Sequence, residues 1–325
     1  WRSITKNIED SKTELKKFIR YYWLSKYSFV TEKLLFKEIK QNVLKDEWQN
    51  LLNELSIDST NWLKINDGSL SDFSDLKDGF KIHKSIEALR WMQVNQCNVF
   101  LLSILRNFDQ LQANPVHVIQ FIENFTFQYS AISKLPANKV ERIYSRYAVM
   151  VDKGVRETDN KRVSRRIQQT FESLISELRD LLPSRTVFLE KFAAVSYSKR
   201  VLCKYILLKI NESMKTSKEY QIDFNNVNIE HVLPQKPVEW GLTLAQVKPY
   251  VNLLGNLTLM DKNLNSSAQN KTLVEKLSFL KESELEVTKD FIKNLNDDNN
   301  WTNERIINRQ EKLAELSYDK IWNVI

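Results

Sequence analysis

Three of the six prolines and two of the five glycines in this chain fall between Pro234 and Gly255. Both residue types interrupt regular helices, so their concentration there leaves most of the 325 residues open to long helices with few tight turns. The apolar spacing agrees. Cys97, Phe100, Leu101, Ile104, Leu105 and Phe108 form a helical stripe before Pro115, and Val118, Ile119, Ile122, Phe125 and Tyr129 form another before Pro136. Phe171, Leu174, Ile175, Leu178, Leu181 and Leu182 form a third before Pro183. Phe188, Phe192, Val195, Val201, Leu202, Tyr205 and Ile206 form a fourth. No fixed period repeats, which argues against a solenoid and for an irregular helical bundle. The expected fold class is mainly α.

Composition narrows the class further. Hydrophobic residues make up 42% and charged residues 27%, so the chain is globular and long enough for two or three domains. The net charge of +7 permits a polyanionic partner without requiring one. Only Cys97 and Cys203 are present, both in apolar helical patterns, which suits buried free thiols and excludes a disulfide framework. No apolar run is long enough to span a bilayer and no signal peptide is apparent, so the expected location is cytoplasmic, with no membrane partner. The chain opens at Trp1, which suggests a piece of a longer protein.

The pattern changes near residue 220. Ile222, Phe224, Val227, Ile229 and His231 alternate well enough for a short strand, and Leu254 to Met260 is a second short apolar run after a glycine. Residues 268 to 282 then read as a helix with Leu273, Val274, Leu277 and Leu280 on one face. The result is a small ββα unit inside the helical chain. The expected domains are therefore a helical one over 1–220, the ββα unit over 221–285, and docking helices over 286–325 presenting Ile306, Ile307, Leu313, Leu316 and Ile321. Asp297 to Asn300 reads as a loop ahead of that face.

This ββα segment gathers chemistry. Glu230 and His231 are adjacent, and Asn256, Asn265 and Asn270 follow. Cleavage of a phosphodiester needs a nucleophile and a cation to offset charge on the phosphoryl group. A neutral imidazole, with an ordinary pKa near 6.5, can deprotonate water at neutral pH. A carboxylate and a carboxamide oxygen suffice for Mg²⁺, which otherwise keeps its waters. Adjacent strand residues point to opposite faces, so Glu230 and His231 converge only where the strand ends or bulges, and Pro234 suits an ending. Plainer roles compete: Asn256 after Gly255 can make a turn, Asn265 and Asn270 can be a helix cap and a loop residue, and a lone His beside a Glu is more often structural. The residues alone leave both sets of roles open.

Glu230-His231-Val232-Leu233-Pro234-Gln235, then Leu254-Gly255-Asn256-Leu257-Thr258-Leu259, then Asn265-Ser266 and Gln269-Asn270-Lys271 with Lys276, resemble the C-terminal nuclease domain of GmrSD-type proteins. These are modification-dependent, type IV restriction endonucleases. The related Ssp antiphage protein, which responds to phosphorothioate DNA, carries a similar domain. The resemblance covers residues 222 to 282 and places the segment among HNH, or His-Me finger, nucleases. Looser likenesses lie at Tyr22-Trp23-Leu24-Ser25-Lys26-Tyr27 and at Ile321-Trp322.

The resemblance implies His231 as general base, Glu230 as metal ligand or site acid, and Asn256 as the residue that orients the His loop. For the third motif position it implies either Asn265, nine residues after Asn256, or Asn270. It implies Lys271 and Lys276 at the DNA backbone. Glu and Asn replace the Asp and final His of many HNH sites, which leaves the choice between Mg²⁺ and Mn²⁺ open. Such proteins also carry an N-terminal nucleotide-binding domain with an Asp-Gly-Gln-Arg-like motif. Neither that motif nor a GxxxxGK loop occurs here, so the resemblance implies an effector half whose sensor domain is missing from this chain.

A second feature bears on nucleic acid. Residues 139 to 166 hold nine basic residues against four acidic ones, with Arg162, Arg165 and Arg166 clustered. Such a stretch either grips phosphates in a salt-sensitive, sequence-independent way or is a solvated helix face. His83 and His117 lack a partner carboxylate at ligand spacing and read as structural. The expected function is a metal-dependent DNA endonuclease of a restriction or antiphage system, with either a nick or a double-strand break as its product. The alternatives are a nucleic-acid-binding or interaction module with a degenerate ββα unit, and an RNA-cleaving nuclease.

Overall fold

The glycine-poor stretches fold as expected into helices. The computed structural model describes residues 1–215, 224–264, 270–295 and 300–324, and it is mainly helical. Two compact units divide the chain. One takes Trp1–Leu182 with Val324–Ile325, and the other takes Pro183–Asn323. The division falls at Pro183 and not near residue 220, so the fourth apolar stripe belongs with the ββα segment.

In the first unit, helices Leu15–Lys26, Trp48–Asp67, Asn98–Arg106 and Ala137–Gly154 surround Phe18, Trp62, Phe100 and Tyr144, all without solvent exposure beyond 1%. Small hydroxyl residues let the helices approach closely. Ser103 Oγ donates to Ala148 O and Ser145 Oγ to Leu24 O, both at 2.8 Å. One buried charge cluster crosses this core: the Arg106 guanidinium donates to Asp58, to Asp152 and to Ser25 Oγ. Burial opposes the charge on Arg106, but the two carboxylates outweigh it and hold its pKa above the ordinary range. Helix Asn160–Arg179 starts at Asp159, whose side chain accepts from the backbone N–H groups of Lys161 and Arg162.

The second unit is built around a two-stranded antiparallel sheet. Strand β1 is Val227–His231 and strand β2 is Leu257–Asp261, with His231 opposite Leu257 and Glu230 opposite Thr258. Both strands are shorter than the alternation suggests. Phe224–Asn226 and Leu254–Asn256 form single 3₁₀ turns ahead of them, and Ile222 lies outside the described residues. Helix Leu273–Lys281 follows, its first turn fixed by Glu275, whose carboxylate accepts from Thr272 N and Oγ1 at 2.9 and 2.6 Å. Leu273, Leu277 and Leu280 face a core shared with Val232, Leu233, Met260, Phe291, Trp301 and Ile306.

Three details depart from the sequence pattern. Val274 is 69% exposed and Ile307 is 40% exposed, so neither joins its expected apolar face. The fourth stripe is not one helix but two, Arg185–Phe192 and Arg200–Met214. The break has a tertiary cause. Ser196 bridges Leu253, Tyr197 N donates to Asn252 O at 2.7 Å, and Leu254 N donates to Val195 O at 3.3 Å. These pairings divert Val195 O and Tyr197 N, which a continuous helix would use for its own hydrogen bonds, while Ala193 N, Ala194 N, Val195 N and Lys199 N keep helical partners.

Candidate active site

His231 is the last residue of β1, and the chain turns away immediately after it. The half-buried imidazole packs edge-on against Tyr197, with ring centroids 4.6 Å apart. Its Nε2 lies 3.3 Å from Asn252 Oδ1 and 3.4 Å from Gln235 Nε2, and Gln235 Nε2 donates to Asn252 Oδ1 at 3.2 Å. The extended pairing of residues 195–197 with 252–254 is what delivers Tyr197 and Asn252 to one place. Burial pushes the imidazole down to about 4; the Asn252 bond works the other way, and the nearby Lys276 ammonium adds to the lowering. The ring is therefore neutral at pH 7 and able to accept a proton.

The side chains of Glu230 and His231 have different partners. Glu230 is 6% exposed and bonds to Lys276, with Nζ to Oε1 at 2.5 Å. The same Nζ donates to the backbone oxygen of His231 at 2.6 Å. Burial raises the carboxyl's pKa, and Lys276 offsets part of that rise. Burial likewise lowers the ammonium's pKa, with Glu230 opposing it. Lys276, expected at the DNA backbone, has no solvent exposure and cannot meet a phosphate in this conformation. The reason is geometric: position 276 faces inward from its helix, one turn from Leu273 and Leu280, along the line that buries the apolar residues.

Asn256 knits the loop after β1 to its neighbours. Its Oδ1 accepts from Leu233 N and from Trp301 Nε1, both at 2.9 Å. Its Nδ2 donates to Leu233 O at 2.9 Å and to Val251 O at 2.8 Å. Its own backbone oxygen accepts from Val232 N at 3.0 Å. Gly255 beside it presses on helix Asn303–Leu316: Gly255 N donates to Gln310 Oε1 at 2.5 Å, and a Cβ here would stand 2.2 Å from Ile306 O. Gln310 also donates to Phe192 O at 2.9 Å, tying the helix to the segment that carries Tyr197.

The other expected site residues are placed as follows. Asn265 lies outside the described residues, and Asn270 sits exposed in a turn. Lys271 is half-buried, with its ammonium 4.5 Å from the Phe279 ring centroid and its backbone oxygen accepting from Trp240 Nε1 at 2.9 Å. In the first unit, Arg162 and Arg165 are exposed, whereas Arg166 pairs with Glu157 at 2.8 Å. Arg146 and Arg156 pair with Glu177 and Asp152, so part of the basic stretch is internally balanced. Both cysteines are buried free thiols, each pushed up to about 12 by burial.

A metal ion on Glu230 does not fit this arrangement, because it would meet the Lys276 ammonium already bonded to that carboxylate. Among the described residues, no three His, Cys, Asp or Glu side chains come together as a ligand set. What the site does offer is a neutral imidazole flanked by two carboxamides and a phenol-bearing ring, at the end of a strand whose exit is pinned by Asn256.

Residues 182–316 match the family model of the GmrSD restriction endonucleases, C-terminal domain. The matched region holds every residue of the His231 cluster and nearly the whole second unit. It covers less than half of the chain and leaves the first unit unassigned. A search of curated proteins finds no match. No described helix is long and apolar enough to cross a membrane. Tyr197 and Asn252 were missed by the sequence pattern. Tyr197 sits in an apolar stripe that read as helix, and Asn252 is one of many asparagines. Gln235 lay within the motif but carried no assigned role.

Proposed function

We propose that this chain is a DNA endonuclease of a restriction or antiphage system, with His231 as the general base. One observation supports the reading above others. The imidazole that ends β1 is held neutral beside Asn252, Gln235 and Tyr197, within a region that matches a restriction-endonuclease domain. In the tautomer protonated on Nδ1, Nε2 carries a lone pair that takes a proton from the attacking water. In that tautomer Gln235 Nε2 donates to the ring and to Asn252 Oδ1, Asn252 Oδ1 makes no bond to the unprotonated Nε2 and is placed to accept from the water, and Tyr197 limits the ring's rotation. Asn256 fixes the backbone on which the imidazole stands.

The reading includes a divalent cation, Mg²⁺ or Mn²⁺, which when bound offsets negative charge on the scissile phosphate. Glu230 in its paired state is not among its ligands, and Asn265 and Asn270 remain the positions proposed for it. Lys271 is the proposed backbone contact in the second unit, and Arg162 and Arg165, with Arg166, are the proposed contacts in the first. Glutamate at those three arginines should abolish retention of duplex DNA in a gel shift; unchanged binding would remove them from the proposal.

Incubating supercoiled plasmid with the chain and Mg²⁺ or Mn²⁺ tests the core claim. Relaxed circles are expected from wild type and none from His231→Ala. Equal cleavage by both proteins would exclude His231 as base. Preferential cleavage of RNA under the same conditions would replace DNA as the substrate. Absence of cleavage by wild type would favour a binding module with a degenerate site.

A further inference from the structure

Lys276 carries a charge where the fold has no evident need of one. The side chain is fully enclosed, and the Glu230 side chain beside it is 8% exposed. A buried ammonium persists only where it is paired and hydrogen-bonded. Glu230 supplies the pairing, but an apolar side chain at both positions would fill the same space at no electrostatic cost. The second bond of Nζ, to His231 O, is what an apolar pair could not make.

That bond completes a particular restraint. The peptide group between His231 and Val232 lies where the chain leaves the sheet. Its oxygen accepts from Lys276 Nζ, and its nitrogen donates to Asn256 O at 3.0 Å. Both polar atoms of the peptide are therefore held from outside the strand. Among the described residues the imidazole itself makes only long bonds, at 3.3 and 3.4 Å, so its placement depends on the backbone beneath it. Lys276 comes from a helix anchored by the Thr272–Glu275 cap and by Leu273, Leu277 and Leu280 in the core. The restraint is thus referred to a rigid element.

We propose that Lys276 and Glu230 form an internal clamp that positions His231, with the ammonium occupying the place a metal ion would take on Glu230. Lys276 is a positioning residue, and Glu230 serves to hold it. The activity arm below rests on the nuclease reading; the stability, metal and spectroscopic arms do not.

The full chain is compared with Glu230→Gln, Lys276→Met and the double variant. Each single change leaves one buried charge without its counter-ion and should lower the melting temperature. The double variant should recover most of that loss. A double variant less stable than either single variant would overturn the pairing. Calorimetric titration with Mn²⁺ then separates clamp from ligand. Uptake equal in wild type and Glu230→Gln, or absent from both, supports the clamp. An affinity at least tenfold weaker in folded Glu230→Gln would show that Glu230 binds the ion, and would overturn it.

Positioning is read from the ring itself. In carbon-13 histidine spectra, the His231 signal, identified by its absence in His231→Ala, should move or broaden in the double variant while His83 and His117 stay in place. Plasmid relaxation by the double variant should fall at least tenfold in kcat with KM within threefold of wild type. An unmoved His231 signal with wild-type kcat would reduce the pair to a structural one. Failure of wild type to cleave would count against the nuclease reading alone, because the spectra still report on the clamp.

Discussion

His231 and Asn256 show how much a single residue's surroundings decide. With its pKa pushed down to about 4, His231 stays neutral until the pH falls well below the 6.5 of a free imidazole. The acid limb of the cleavage rate should accordingly appear below about pH 5 and not near 6.5. A limb near 6.5 that disappears in His231→Ala would show that the ring titrates as if solvent-exposed. The same depression acts on stability. Between the two pKa values the unfolded chain binds the proton and the folded chain does not, so stability decreases as pH falls from about 6.5 towards 4 and is unaffected above that window. His231→Gln should lose less stability than wild type between pH 7 and pH 5 in thermal melts. Asn256 is decided by hydrogen bonds instead. Replacing it with Ala strands Leu233 N, Leu233 O, Val251 O and Trp301 Nε1, all buried with it. At about 1–3 kcal/mol for each unsatisfied group, the loss should be at least about 3 kcal/mol. Chemical denaturation of Asn256→Ala measures it, and a loss under about 1 kcal/mol would mean that water replaces the amide.

At the scale of elements, the helices were legible because apolar stripes and prolines mark them directly. The stripes ending at Pro115, Pro136 and Pro183 correspond to helices Asn98–Arg106, Val116–Thr126 and Asn160–Arg179. The fourth stripe misled, because the pairing of residues 195–197 with 252–254 is non-local and leaves no periodic trace. That same pairing brings Tyr197 to His231, so half of the cluster could not be seen from local pattern. The Glu230–Lys276 pair was hidden similarly: each residue is ordinary in its own segment, and only the packing of helix Leu273–Lys281 shows that they meet. Gly255 was read through its neighbour's turn chemistry, yet its φ is not in the left-handed region. Its constraint is close approach. A Cβ would meet Ile306 O at 2.2 Å and Gln310 N at 2.9 Å, both backbone atoms of helix Asn303–Leu316. Gly255→Ala must therefore push strand entry and helix apart, and overpacking of this kind costs about 1–3 kcal/mol or more. Denaturant melts should show that loss, and cleavage should fall with it because Asn256 moves too. A variant as stable as wild type would mean that the helix shifts freely.

At the scale of the molecule, the boundary at Pro183 separates the His231 cluster from the exposed arginines. Tyr197, Glu230, His231, Gln235, Asn252, Asn256, Lys276, Trp301 and Gln310 all lie in the unit Pro183–Asn323, and each bond described between them is internal to it. Arg162 and Arg165 lie in the other unit. The sequence suggested a boundary near 220 because composition changes there; a boundary drawn by contacts instead keeps helices Arg185–Phe192 and Arg200–Met214 with the strands they support. A fragment comprising 183–323 should consequently fold alone, since it retains its own apolar cluster around Leu273, Leu277, Leu280, Phe291 and Ile306. A fragment cut at residue 221 should not, because it loses Val195, Tyr197 and the backbone oxygens that Gln310 holds. Circular dichroism and melting curves distinguish the two. If the arginines of the first unit contact phosphates, the 183–323 fragment should also bind DNA more weakly, with a shallower dependence of log affinity on log salt. A fragment that folds and binds with the full chain's salt slope would place the phosphate contacts entirely within the second unit, at Lys271 and its neighbours.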